Sequence, residues 1–163
     1  MAEPLMRLRL AVAEDAGRVA QLFCDAIRAL SAADYSSEQI EAWAGAPDAT
    51  RWLDRIAEGD REFWLAELDG KLAGFCDFEP DGHVDMLYVS PSHARQGVAS
   101  ALLDQIHESA AMLGLTRLYT EASITARPVF EKHGFRVLEP QDVRLSNTLL
   151  RNYRMEKTLQ PDG

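Results

Sequence analysis

Apolar and polar residues alternate through MRLRLAVA, residues 6–13, so that Leu8, Leu10 and Val12 share one face of a predicted strand. The period then lengthens. Val19, Leu22, Phe23, Ala26, Ile27 and Leu30 recur at helical spacing, with Glu14 and Asp15 placed to cap that helix. SSEQIEAW sets Ser36 three residues before Gln39, a capping-box pattern ahead of a short helix carrying Ile40 and Trp43. After Gly45-Ala46-Pro47, the spacing of Trp52, Leu53 and Ile56 predicts a helix over residues 50–57.

The middle of the chain reads differently. EFWLAEL, KLAGFCDF and HVDMLYV are joined by Asp69-Gly70 and by Pro80-Asp81-Gly82. Asp-Gly between apolar runs marks a tight hairpin, because such a turn needs positive φ. A three-stranded antiparallel meander is therefore predicted over residues 62–89. A long helix follows, with Val98, Leu102, Ile106, Ala110 and Leu113 on one face and Gly114 as its stop. TRLYTEA reads as a strand, ARPVFEKHG as a short helix ended by Gly134, and FRVLEPQDVRL and NYRMEKTL as closing strands. The order is mixed α/β with one strand–helix–strand crossover.

Composition narrows this picture. With 163 residues, 47% of them hydrophobic, the chain can build one core and is short for two, so residues 1–163 are expected to form a single domain. A formal net charge of −9 argues against a nucleic-acid or anionic-membrane partner, since both would be repelled. Cys24 and Cys76 lie in apolar surroundings without metal-ligand spacing, which fits reduced core thiols, no metal and a cytoplasmic protein. Arg7 and Arg9 interrupt the first apolar stretch, unlike a secretory leader, and no window approaches the length of a membrane-spanning helix.

One stretch carries chemistry. SHARQGVASALL, residues 92–103, follows an apolar strand and opens a helix, and residues 86–103 contain no acid in a chain with 26. A strand leading into a glycine turn and a helix start presents free backbone N–H groups and the positive end of a helix dipole, an arrangement suited to phosphate. Arg95 adds charge, and His93 and Gln96 add donors. Gly97 and Ala99 equally suit close packing of helix on sheet. Neither a P-loop nor a dinucleotide fingerprint is present.

MLYVSPSHARQGVASALL resembles motif A of the GCN5-related N-acetyltransferase (GNAT) superfamily, and LYTEASITARPVFEKHGF resembles its second conserved block. More narrowly, these blocks and YSSEQIEAWA are similar to the bacterial YafP-type acetyltransferases. The resemblance covers about residues 6–158. It implies a central mixed, mostly antiparallel, twisted sheet of six to seven strands flanked by helices and splayed at strands 4 and 5. It also implies acetyl-CoA as co-substrate, with Leu87, Tyr88 and Val89 pairing with the pantetheine arm. Arg95, Gln96, Gly97, Val98, Ala99 and Ser100 would hold the pyrophosphate, and Ser123 would lie near the pantetheine. Two positions depart from the family: Ala94 replaces a customary Gln or Arg, and Phe130 replaces a customary Tyr that protonates the departing thiolate.

Acetyl transfer to a primary amine by direct attack in a ternary complex needs a neutral amine, a polarised carbonyl and a proton route. Period two puts His83, Asp85, Leu87 and Val89 on one strand face and Tyr88 on the other. The superfamily commonly places its base at positions matching His83 or Asp85; His83 also reads as a residue exposed after a turn, and Asp85 as a carboxylate held by a neighbouring donor or pairing with a cationic amine. Tyr153, on a strand that borders the acceptor site in this fold, is the candidate acid beside its reading as a half-buried strand residue. Arg127 suits either the CoA phosphates or the surface. Acceptor specificity is expected from residues 30–52, with Tyr35 and Trp43 as substrate-binding walls. The acceptor is expected to be a small-molecule or peptide amine, and the resemblance leaves room for a homodimer. Ala94 and Phe130 also suit an acyl-CoA-binding module of this fold with little catalysis, and that reading stands beside the enzyme.

Overall fold

The computed structural model describes residues 5–160. Seven strands form one sheet in the order β1-β2-β3-β4-β5-β7-β6. They are β1 (Met6–Leu10), β2 (Glu62–Leu68), β3 (Lys71–Phe78), β4 (His83–Val89), β5 (Arg117–Ser123), β6 (Arg136–Leu145) and β7 (Thr148–Thr158). All neighbours are antiparallel except β4 and β5. The helices are α1 (Ala16–Leu30), α2 (Ser37–Ala44), α3 (Ala49–Ala57), α4 (Val98–Met112) and α5 (Arg127–Lys132).

The sheet has two covered faces. Helices α1, α2 and α3 bring Val19, Phe23, Ile27, Ile40 and Trp52 against Phe63, Leu65 and Phe75. On the other face α4 and α5 bring Val98, Leu102, Ile106 and Phe130 against Cys76, Val84, Leu118 and Met155. The apolar stripes in the sequence thus become two cores separated by the sheet. Leu10 and Val12 depart from the expected strand face: β1 ends at Leu10, and the two side chains are 53% and 51% exposed. Leu113, likewise, caps α4 half-exposed instead of extending its buried stripe.

The meander forms as its turns dictate. Asp69 and Gly70 both take positive φ, 51° and 80°, and join Leu68 directly to Lys71. At the second turn Gly82 has φ 104°, and a Cβ there would lie 2.3 Å from the Arg117 carbonyl oxygen. Only glycine lets the start of β5 pass this close.

The alternation along β4 is broken by a bulge. Phe78 pairs with Val84 and Asp77 with Met86, leaving Asp85 without an opposite residue. Its cause is local: the buried Asp77 carboxylate accepts the Met86 N–H at 2.8 Å. Val84, Leu87 and Val89 therefore pack towards α4, while Met86 and Tyr88 pack towards α1–α3. Leu87 and Val89 thus share a face with Tyr88 opposite, as expected, but the bulge keeps His83 and Asp85 from joining that face.

Beta strands 4 and 5 pair only at His83–Tyr119 and Val84–Thr120. The buried Thr120 hydroxyl donates to the Val84 carbonyl at 2.7 Å, closing the fork at its root. Beyond it the strands splay. No helix among the described residues is long and apolar enough to cross a membrane.

Candidate active site

The splay leaves an open strand edge. Ser90 N–H donates to the Ala73 carbonyl at 2.7 Å, so Ser90 faces β3, and strand alternation turns the backbone groups of Val89 and Leu87 the other way, into the gap. Two cavities meet there. One, about 530 Å³, runs from Leu87, Tyr88 and Val89 to Ala94, Arg95 and the first turn of α4. The other, about 440 Å³, runs from the same strand towards Tyr35, Trp43, Asp85 and Asn152. Trp43, Leu87, Tyr88, Ser123 and Ala126 line both, so the cavities form one passage across the sheet.

The first cavity gathers groups that suit an anion. Arg95 (φ 63°) and Gly97 (φ 80°) adopt left-handed backbone, and Gly97 caps α4 without any side-chain acceptor on the first-turn N–H groups. The N–H groups of Val98, Ala99 and Ser100 are left for a ligand, and Arg95, Lys132 and His133 supply positive or hydrogen-bonding groups around them. The small Cβ of Ala94 adds no donor. Gln96 is exposed in the turn and lies outside the cavity wall. The His133 Nε2 and Ser100 Oγ are 3.0 Å apart, and burial lowers the histidine pKa. Ser123 lines the passage while its hydroxyl accepts the Ala126 N–H at 3.0 Å.

Arg127 does not reach this cavity. Its guanidinium lies 4.5 Å from the centroid of the Tyr153 ring, and its Nε donates to Glu131. Tyr153 is correspondingly misplaced for an acid. It pairs across from Ala122 and packs on the α4–α5 face, away from the second cavity, because it shares the strand face of buried Met155. Its strand neighbour Asn152, on the opposite face, lines the cavity instead.

His83 is also not positioned as a base. It stacks on Tyr119 with centroids 4.9 Å apart, and its two ring nitrogens lie 2.9 Å from Glu121 and 2.8 Å from Glu79. The Glu121 hydrogen bond leads in raising its pKa to about 9, against the opposing effect of burial, so the imidazole is protonated at neutral pH. A group whose folded pKa exceeds its unfolded value of 6.5 stabilises fully below that value and loses its contribution as pH rises through the folded pKa. An NMR titration should therefore place the His83 transition near pH 9, with the urea midpoint of the protein falling between about pH 6.5 and 9. A transition near 6.5 would show that the two carboxylates do not hold the ring.

Asp85 does line the second cavity, but as part of an ion cluster. Arg55 donates to Asp77 at 2.8 Å and to Asp85, and Arg61 donates to Asp77 at 3.0 Å and to Asp85 at 3.2 Å. Burial raises the Asp77 pKa while the two arginines pull it back. Glu79, His83 and Asp85 lie close enough to share a metal ion, yet their partners in this structure are arginines and the neighbouring Glu121.

The aromatic walls are fixed. Tyr35 hydroxyl donates to the Arg151 carbonyl at 2.6 Å and accepts the Ile124 N–H at 2.9 Å, so its ring lines the cavity while its polar end straps β5 to β7. Trp43 packs edge-on to Tyr35 and Tyr88. Tyr88, enclosed by Phe23, Trp43 and Phe75, has its pKa pushed up to about 12 by burial. Phe130 faces the same cavity and offers no proton.

Sequence reasoning did not single out Glu121, Asn152 or Arg51, which all line the second cavity. Alternation back from Ser123 would have put Glu121 on the cavity face; Asn152 depended on the pairing of β5 with β7.

A family model for the GNAT acetyltransferase domain matches residues 31–159. The chain belongs to the GNAT acetyltransferases. It is 33% identical over 141 residues to the uncharacterized N-acetyltransferase YafP of Escherichia coli (strain K12), covering 86% of this chain and 88% of that protein. Among solved structures it is similar to a GCN5-related N-acetyltransferase from Rhodopseudomonas palustris, with 35% identity, a TM-score of 0.88 and 98% of each chain covered. The PaiA N-acetyltransferase from Thermoplasma acidophilum, solved in complex with coenzyme A, shares the fold at 21% identity and a TM-score of 0.77, covering 94% of this chain and 99% of that one. The splayed β4–β5 pair is thus that of a GNAT sheet.

Proposed function

We propose that this GNAT protein is an acetyl-CoA-dependent N-acetyltransferase that acylates a primary amine by direct attack in a ternary complex. The observation that carries this reading is the meeting of an anion-seating cavity and an acceptor cavity at the unpaired edge of Leu87. The residues present fit the co-substrate: the open N–H groups of α4 suit a pyrophosphate, and the backbone of Leu87 and Val89 suits the amide-bearing pantetheine arm. When bound, acetyl-CoA supplies the activated acetyl group. A backbone N–H at the strand edge polarises its carbonyl without any particular side chain.

On the acceptor side, Glu121 and Asp85 are the carboxylates that face the cavity. Asp85 is committed to two arginines, whereas Glu121 has only the protonated His83 behind it and 39% of its side chain exposed. We assign the amine proton to Glu121, with His83 as a positioning residue. As the N–C bond forms and the C–S bond breaks, the amine proton passes to Glu121. The thiolate leaves without a proton from Phe130, whose ring has none to give, because a thiol pKa of about 8.5 makes it a competent leaving group. Phe130 in the cavity wall gives the binding-module reading its footing.

Two measurements separate the readings. Calorimetry should show saturable acetyl-CoA binding, and a thiol-release assay across a broad amine panel should show turnover. Binding without thiol release from any amine would establish a sensor; absence of both would overturn the assignment of the passage to acetyl-CoA.

A further inference from the structure

The acceptor cavity carries two groups without a protein partner among the described residues, and they are of opposite kinds: an exposed cation and a buried acceptor atom. Four ionic side chains belong to its wall: Arg51, Asp85, Glu121 and Arg151. Asp85 is held by Arg55 and Arg61, Glu121 by His83, and Arg151 by Asp142 at 2.8 Å. Arg51 has no carboxylate within ion-pair distance among the described residues, although the chain as a whole carries a net charge of −9. Its guanidinium carbon instead lies 5.0 Å from the centroids of both Phe23 and Trp52. Contact with two aromatic rings restrains the guanidinium while its exposed N–H groups stay open to a planar oxyanion.

The second group is the side-chain carbonyl of Asn152, whose oxygen is buried with no hydrogen-bond partner among the described residues. Buried polar atoms in folded proteins are nearly always paired, so an orphan in a cavity wall marks a place for a donor. Asn152 stands opposite Ser123, which lines both cavities, and this puts the orphan acceptor at the end where acetyl transfer would occur.

We propose that the acceptor is an amine that also bears a carboxylate, an amino-acid-like molecule whose N–H is received by Asn152 and whose carboxylate is received by Arg51. This rests on the acetyltransferase reading of the same passage. One molecule with both groups engages both side chains, whereas an amine lacking the carboxylate leaves the fork to solvent. A charge-assisted hydrogen bond of this type corresponds to roughly 10- to 100-fold in kcat/KM.

The test pairs α- and ω-amino acids of increasing length with the corresponding amines that lack the carboxylate, in a thiol-release assay. The wild type should prefer the carboxylate-bearing member of at least one pair by about 10- to 100-fold, and Arg51→Met should bring that ratio to about one. Arg51→Lys should restore part of the preference. Equal use of both members of every pair by the wild type overturns the proposal. A second readout needs no turnover: N-acetylated amino acids should quench tryptophan fluorescence of the CoA complex saturably in the wild type and not in Arg51→Met. That binding, in a protein that releases no thiol with any amine, would uphold the carboxylate site while removing the acetyltransferase reading; no saturable quenching in the wild type overturns the site itself.

Discussion

Replacing Asp77 by alanine should destabilise the protein by about 3–5 kcal/mol, the cost typical of removing one partner from a buried ion pair. Asp77 is fully buried and accepts three hydrogen bonds: 2.8 Å from Arg55, 3.0 Å from Arg61 and 2.8 Å from the Met86 N–H. The substitution leaves two guanidiniums, 17% and 10% exposed, with less counter-charge, and it orphans a backbone donor in the middle of the sheet. Asp85 and Glu58 still hold the arginines, which keeps the loss within that range. Asp77→Asn retains an acceptor for Met86 and should lose less. Urea denaturation measures both variants, and a loss below about 1 kcal/mol for Asp77→Ala would show that the ion cluster does not anchor the strand. Because the same carboxylate sets the β4 bulge, the alanine variant should also lose activity beyond what its unfolded fraction explains.

That bulge marks where reading by period stops. Local chemistry was legible along the chain. Asp69-Gly70 announced a turn that needs positive φ twice, the Ser36–Gln39 box formed with both of its hydrogen bonds, and Gly97 caps α4 in the left-handed region the phosphate seat requires. These features depend on residues within a few positions of one another. The face assigned to His83 and Asp85 depended on an unbroken alternation, and a carboxylate nine residues before Met86 broke it. The protonated state of His83 depended on Glu121, which lies 38 residues downstream and meets it only because β4 and β5 run parallel at their first residues. Tyr153 could have been read correctly from its own strand, since Met155 fixes the buried face two residues on. The first cavity was therefore more legible than the second: the first centres on one contiguous loop and helix start, whereas the second is lined by residues of eight elements brought together by the sheet.

Glu121→Gln should lower kcat by about 10²- to 10³-fold, within the span that a positioned general base contributes, while leaving acetyl-CoA affinity unchanged. The substitution is nearly isosteric, and the new amide oxygen still accepts from His83 Nε2, so the fork of β4 and β5 keeps its geometry. Only the capacity to take a proton is lost. Two consequences separate a base from a structural carboxylate. The rate of the variant should climb with pH as a growing share of the amine arrives already neutral, whereas the wild type should respond less. The His83 titration should fall from about 9 towards its ordinary value, because the hydrogen bond that His83 donates to the Glu121 carboxylate is the leading cause of the shift. His83→Gln, acting through the position of Glu121, should reduce kcat by a smaller factor and leave the pH profile close to that of the wild type. A Glu121→Gln enzyme whose kcat stays within about threefold of the wild type across that pH range would move the proton to Asp85 or to water.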